Sequence, residues 1–532
     1  MLATAQKGHK KPVSEIFTKP AVTLSDKNII QSLAGIQRGI EKEGLRVISD
    51  DSISTQKHPA AIGSTLTHGT ITTDYSEALL EFITPKQKGI ESTIEYLRNL
   101  HSFTLANLTD EVIWPCSMPC ALNGDESIPI ADYGSSNIGQ LKHVYRQGLG
   151  VRYGRIMQSI AGIHYNVSLP DEFWLAYQAH CNATEDLQDF KSEQYFAQIR
   201  NFRRYSWLLH YLFGASPVLD KSFFDGRDHK LEKFTDNTFG LRYAKSLRMS
   251  DLGYQNSAQQ DLNISYNSLS DYTTTLERAV KEPYSRYEEI GIKSGKKYIQ
   301  LNSNILQLEN EYYSDIRPKR VTQSGEKPIH ALNSRGVEYI EVRILDINPF
   351  LAEGISAEQI RFLDAFMVHC LIAPCPSQST TSCADIKSNQ HKIIMNGRDP
   401  DLRLMHNDRK APFNEVGHEL LDCVTKAAAM LDSALGTDAY TAAVDAQREK
   451  IDDASLTPSG QIMDRVLDGQ DFLDIARELA DSHKRYFSKV DLSKDLNEKM
   501  SILAKQSLAD QTQLENSDTL SFAEYLDAYN KS

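Results

Sequence analysis

"GIQRGIEKEGLRV", residues 35–47, reads as a β-strand that carries two glutamates one residue apart, Glu41 and Glu43. In an extended chain, residues two apart share a face, so the two carboxylates emerge side by side. Like charges in adjacent same-face positions repel, and a strand with a purely structural task avoids them. A divalent cation held between or beside them would remove the conflict.

Two further stretches alternate more openly. "YIEVRILDI" (339–347) sets Ile340, Val342 and Ile344 on one face and Tyr339, Glu341 and Arg343 on the other. "GIHYNVSLP" (162–170) sets His164, Asn166 and Ser168 against Ile163, Tyr165 and Val167. Half-buried strands with Glu, Arg, His and Asn on the polar face suit a sheet that lines a cleft. Helical spacing marks residues 89–108 and 195–213. Residues 417–436 carry a stripe of Leu420, Leu421, Val424, Ala428, Leu431 and Leu435, with Gly436 as the stop. From about residue 351 the pattern is mostly helical, and the tail after about 490 is charged, helix-prone and poor in chemistry. The expected fold class is α+β: a mainly antiparallel sheet, helices packed on its outside and a helical C-terminal third.

Composition narrows the function. The 532 residues are 40% hydrophobic and 24% charged, ordinary for a globular chain with a sizeable core. A net charge of −13 argues against a nucleic-acid backbone or an anionic membrane as the main partner. "MLATAQKGHKKPVSEIF" (1–17) has lysines but no apolar stretch after them, so no secretory signal is expected. The most apolar run, residues 205–219, is interrupted by His210 and shorter than the ~20 residues a membrane span needs. Seven cysteines, an odd number in a long chain, read as reduced thiols in a cytoplasmic protein. "GIKSGKKY" (291–298) lacks the spacing and the Ser/Thr of a phosphate-binding loop and reads as a hairpin turn between "EEIGI" and "KYIQLN". "GLGVRYG" (148–154) has one residue too many for the dinucleotide fingerprint.

Five segments gather polar groups: Glu41 with Glu43; Asp74, Glu77 and Glu81; His164 with Asn166; Arg248, Asp251 and Tyr254; Glu341 with Arg343. Carboxylates converging from several strands are what magnesium or manganese requires, and arginines beside them can grip a carboxylate or phosphate. Each segment alone also has a plain reading. Glu41 and Glu43 fit a solvated edge, and Asp74 and Glu77 fit a helix start. His164 fits a hydrogen-bonded strand histidine, and Glu341 with Arg343 fits an ion pair.

Taken together, "GIQRGIEKEGLRV", "LTHGTITTDYSEALLEFITP", "WPCSMPC", "YGRIMQSIAGIHYNVSLP", "YLFGASP", "SLRMSDLGY", "LQLENEYYSDIRPKRV" and "EYIEVRILDINPF" resemble the proteobacterial glutamate–cysteine ligases. The matches run in family order from about residue 35 to 355 and weaken beyond. The resemblance implies a glutamine-synthetase-like sheet curved into a funnel, in one catalytic unit over 1–532. Its sheet-rich core would span about 28–350, with a mostly helical remainder over about 351–532. It implies ATP as co-substrate, Mg2+ or Mn2+, glutamate and cysteine as small-molecule substrates, no nucleic acid, no membrane and a monomer. The activity implied joins the glutamate γ-carboxylate to the cysteine amine through a γ-glutamyl phosphate, the first step of glutathione synthesis. Carried over by residue, Glu41, Glu43, Asp74, Glu81, His164 and Glu341 form the metal shell. Arg248 grips the α-carboxylate of glutamate and Arg343 faces the transferring phosphoryl group, while Tyr145, Arg146, Tyr254 and Tyr313 line the cysteine pocket. No cysteine of the chain is needed by this chemistry. The nearest alternative is a related carboxylate–amine ligase with another amine acceptor. A glycoside hydrolase using Glu41 and Glu341 fits less well, with only Trp114, Trp174 and Trp207 to face a sugar. A catalytically silent relative is disfavoured because the key acids and arginines are all present.

Overall fold

The computed structural model describes residues 21–252, 257–260, 262, 264–323, 325–375 and 380–531. The N-terminal stretch 1–17 considered above and Tyr254 lie outside these residues. The principal sheet has seven strands: β1 (Gln37–Val47), β2 (Ile71–Thr73), β3 (Leu79–Ile83), β4 (Val112–Ile113), β5 (Ile163–Ser168), β6 (Ile316–Lys319) and β7 (Tyr339–Leu345). They run in the order β6–β7–β5–β1–β3–β2, with β4 paired to the end of β1, and every pairing is antiparallel. The expected α+β class is the one found.

The alternating patterns orient the sheet. Tyr165, Val167, Ile340 and Val342 are all buried on one face. Against that face pack the helices α1 (Ile90–Ala106), α3 (Leu187–Tyr205), α4 (Trp207–Phe213) and α5 (Ala357–Ile372); α2 (Asn137–Tyr153) lies in the chain between the first two of these. α5 is buried along nearly all its length between α1, α3 and the long α6 (Phe413–Leu435). The helix expected over 195–213 begins earlier and is broken. Asp186 caps its start by accepting from Gln188 N at 2.8 Å, and Ser206 separates α3 from α4. α6 ends at Gly436 in the left-handed region (φ +66), as the sequence predicts, although Leu435 of the apolar stripe is exposed. The 291–298 turn is a short hairpin, Lys293–Ser294 with Lys297–Tyr298, but "EEI" closes a helix, Ser285–Ile290, rather than a strand. Asp74 and Glu77 start no helix; they lie in the turn between β2 and β3.

β1 departs most from a simple reading. Its helix-covered face carries Arg38, Lys42 and Arg46, all buried. Arg46 Nη1 donates to both oxygens of Glu111 at 3.0 and 3.2 Å. Lys42 Nζ lies 2.8 Å from His101 Nε2; because His101 Nδ1 is 2.8 Å from Leu97 O, the lysine is the donor in the first contact. Burial pulls Lys42 down to about 7. Arg38 Nε donates to Asp364 Oδ1 of α5 at 3.2 Å, with Nη2 2.9 Å from Oδ2, and Tyr165 and Tyr440 donate their hydroxyls to the same carboxylate.

The tail is not idle. α7 (Lys494–Ser517) packs against the turn Ala60–Ile62, and α8 (Phe522–Lys531) returns to α2. Asp518 accepts from Asn137 N at the start of α2, and Leu526 joins Leu141, Val144 and Leu301 in a second small core. All seven cysteines are free thiols. Among the described residues no helix is long and apolar enough to cross a membrane.

Removing one partner of a fully buried ion pair leaves a charge without compensation. Asp364→Ala is therefore expected to lower the unfolding free energy by about 3–5 kcal/mol, read by denaturant titration. A loss within about 0.5 kcal/mol would show that Arg38 finds another partner.

Candidate active site

The register of the sheet assembles the site. Glu41 stands opposite His164, Glu43 opposite Glu81, and Glu341 lies between Asn166 and Arg317. Directly opposed antiparallel residues share a face, so five strands project one continuous row of charge away from the helices.

The acidic half lies over β1, β3 and β5. One ligand atom from each of Glu41, Glu81 and His164 lies within 4.8 Å of the other two. His164 Nδ1 is 2.9 Å from Glu41 Oε2, and Asn166 Nδ2 donates to Glu41 Oε1 at 2.9 Å. Glu43 Oε1 lies 4.0 Å from His164 Nε2, and Gly162 N donates to Glu43 Oε2 at 2.6 Å. Asp74 lines the adjoining cavity and presses electrostatically on Glu43 and Glu81. Burial, and then repulsion from Glu41, Asp74 and Glu43, raises Glu81 well above the usual carboxylate range. Burial and Asp74 raise Glu43. Burial is the largest influence on Glu41 and works against its ionisation, but the His164 hydrogen bond together with attraction to His164 and Lys319 holds this carboxylate low. Glu77, grouped with these acids in the sequence, turns away and accepts from His58 N and Asp132 N at 2.9 and 2.8 Å.

The basic half lies over β6 and β7. Glu341 is 3.4 Å from Lys319 Nζ, 3.2 Å from Arg343 Nη1 and 4.0 Å from both Arg317 Nη1 and His164 Nδ1. Burial alone would raise Glu341; these cations instead hold it well below the ordinary value. Arg343 sits where the β7–β5 register shifts between Val342 and Leu345, an irregularity of the kind that re-aims a side chain. Its Nε is buried and makes no hydrogen bond. Arg317 and Lys319 escaped the sequence reading. The available signal was "IRPK", where two cations two residues apart flank a proline suited to an edge strand.

A cavity of about 590 Å³ opens beside this row, lined by Glu43, Asp74, His164, Arg248, Arg317 and Arg343 among others. Tyr145 and Arg146 of α2 and Tyr313 form part of its wall. Arg248, on the turn Leu247–Met249, donates from Nη2 to Arg343 O at 2.9 Å. Tyr313 donates to Met249 Sδ at 3.1 Å, and burial pushes its phenol up to about 12. Arg146 Nε donates to Asp74 O, which ties the tyrosine-bearing helix to the acidic rim. Asp251 is exposed and lies 3.9 Å from His391.

The model of the glutamate–cysteine ligase family matches residues 22–393. A glutamate–cysteine ligase of Hahella chejuensis is 51% identical over 504 residues, 94% of this chain and 96% of that one. The chain belongs to the glutamate–cysteine ligase family. A solved structure of a glutamate–cysteine ligase from Francisella tularensis, in complex with AMP, superposes on this ligase with a TM-score of 0.88. It is 37% identical and covers 93% of this chain and 98% of its own. A bifunctional glutathione synthetase from Pasteurella multocida matches at a TM-score of 0.72 and 25% identity, over 91% of this chain and 58% of its own.

A carboxyl whose folded-state pKa exceeds its unfolded one contributes stability that is complete below about pH 4.5 and lost as pH rises through the folded-state value. In chelator-treated ligase, Glu81→Gln is accordingly expected to raise stability at pH 7–8 by about 1–3 kcal/mol and to flatten its fall with pH. Thermal unfolding between pH 5 and 8 checks this; a destabilised variant would mean that Glu81 is compensated within the protein.

Proposed function

We propose that this ligase joins the γ-carboxylate of glutamate to the amine of cysteine at the expense of ATP, giving γ-glutamylcysteine, ADP and phosphate. The observation that carries this reading is the single row of charge, three metal-ligating groups within 4.8 Å at one end and three cations around Glu341 at the other, with His164, Arg317 and Arg343 reaching the wall of one cavity.

A carboxylate is a poor acylating agent because its leaving group would be oxide. In the reading proposed, an oxygen of the glutamate γ-carboxylate attacks the terminal phosphorus of ATP and the bond to ADP breaks. The cysteine amine then attacks the acyl carbon, phosphate leaves with its oxygen, and the amine gives up a proton. The first step brings two anions together, so positive charge must be supplied. Hard oxygen donors with one imidazole fit Mg2+ or Mn2+, and the raised Glu43 and Glu81 fit a site completed by a cation. Glu41, Glu81 and His164 would hold the ion, with Glu43, Asp74 and Glu341 completing the shell. Bound there, a divalent ion would neutralise phosphate charge and bridge the nucleotide to the protein.

Arg343 faces the transferring phosphoryl group, with its buried Nε as the unused donor. Arg248 binds the α-carboxylate of glutamate. Tyr145, Arg146, Tyr254 and Tyr313 receive cysteine, whose small, soft thiol suits aromatic walls. In this reading the ligase acts as one catalytic unit and a monomer. Its free thiols suit the reducing cytoplasm.

Purified protein supplied with glutamate, ATP and Mg2+ is expected to release ADP fastest with cysteine as acceptor, and another amine outpacing cysteine would overturn the acceptor assignment. Glu341→Gln, which keeps the shape among three cations but removes the charge, is expected to cut kcat by about 100-fold or more. Near-normal turnover would make Glu341 a bystander.

A further inference from the structure

The stretch "YLFGASP" and the Asp that follows β7 have no role in the chemistry above, yet both converge on Arg248. Asp346 is buried to 2% exposure. Its Oδ2 accepts from Ala215 N at 2.8 Å and from Ser216 Oγ at 2.7 Å, and its Oδ1 accepts from Ser246 Oγ at 3.0 Å. Oδ1 also lies 3.6 Å from Arg248 Nη1. Ser216 and Ser246 are themselves paired through an isolated parallel bridge, and Leu247 N donates to Ser216 O at 2.6 Å. The turn that carries Arg248 is thus built onto the same two serines that hold the carboxylate.

The far side of the guanidinium is equally confined. Nη2 donates to Arg343 O at 2.9 Å, and a Cβ placed on Gly162 would stand 2.1 Å from Nη2. Arg248 lines the cavity and Asp346 does not. An arginine grips a carboxylate well only when the plane of its fork is fixed before the ligand arrives, and a flexible side chain loses entropy if it is not. Three neutral donors leave Asp346 with a negative charge that only Arg248, among the contacts just described, balances.

We propose that Asp346, clamped by Ser216 and Ser246, is a positioning residue that holds the Arg248 guanidinium in the orientation needed to take the α-carboxylate of glutamate. The proposal rests on the reading of Arg248 given above. It separates from a merely structural ion pair by using a second substrate, the α-amide of glutamate, which keeps the γ-carboxylate but lacks the charged group Arg248 would grip.

Asp346→Asn is expected to lower kcat/KM for glutamate about tenfold, mainly through KM. It should leave kcat/KM for the α-amide, and KM for cysteine and ATP, near their original values. Ser216→Ala and Ser246→Ala are expected to shift the glutamate-to-amide ratio the same way by a smaller factor, and they serve if Asp346→Asn folds poorly. Equal losses with both substrates would overturn the positioning role. Arg248→Lys tests the underlying reading. If it leaves the ratio intact, that reading fails and the proposal with it. If it collapses the ratio while the Asp346 and serine variants do not, only the positioning role falls.

Discussion

The structure depends on a repulsion that antiparallel pairing enforces. Once β1 and β3 are in register, Glu43 and Glu81 must face the same way, and the two-residue period adds Glu41. Slipping by one residue would relieve the crowding but would turn Ile40 and Phe82 out of the core, where both are fully buried. The apolar face therefore dictates the electrostatics of the polar face. The outcome is a polarised surface: Glu43 and Glu81, which resist ionisation, on the paired strands β1 and β3, an acid compelled to ionise on β7, and His164 between them.

Much of this was legible in residue patterns, because alternation is local. β5 and β7 could be drawn from "IHYNVS" and "YIEVRIL", and Gly436 marked a helix end, since each depends on neighbours in the chain. The site acids were visible because charges two apart on a strand have few structural uses. β1 shows where such reasoning stops. Its other face also carries charge, and "QRGIEKEGLRV" does not distinguish an arginine bound for solvent from one bound for the interior. Arg38 is tolerable inside only because Asp364, more than three hundred residues later, meets it there. The same holds for Arg317 and Lys319, which gain meaning only when β6 pairs with β7. Ser206 breaks a helix whose flanking residues give no local sign of it.

The similarity to relatives extends beyond the segments that carry the charged groups. The family match ends at residue 393, whereas the Hahella ligase aligns over 94% of the chain. The helices beyond that point have physical work to do. α6 covers α5, which in turn supplies the counter-ion to β1, so the helical C-terminal region is tied to the charge balance of the sheet.

α8 adds a consequence in time rather than space. It packs against α2, the helix bearing Tyr145 and Arg146, yet it is synthesised several hundred residues later. While a ribosome is still translating the region between them, α2 has neither Leu526 beneath it nor Asp518 at its first turn. The sheet and its acids can form early in such a nascent chain, but one wall of the cavity must wait for translation to reach α8.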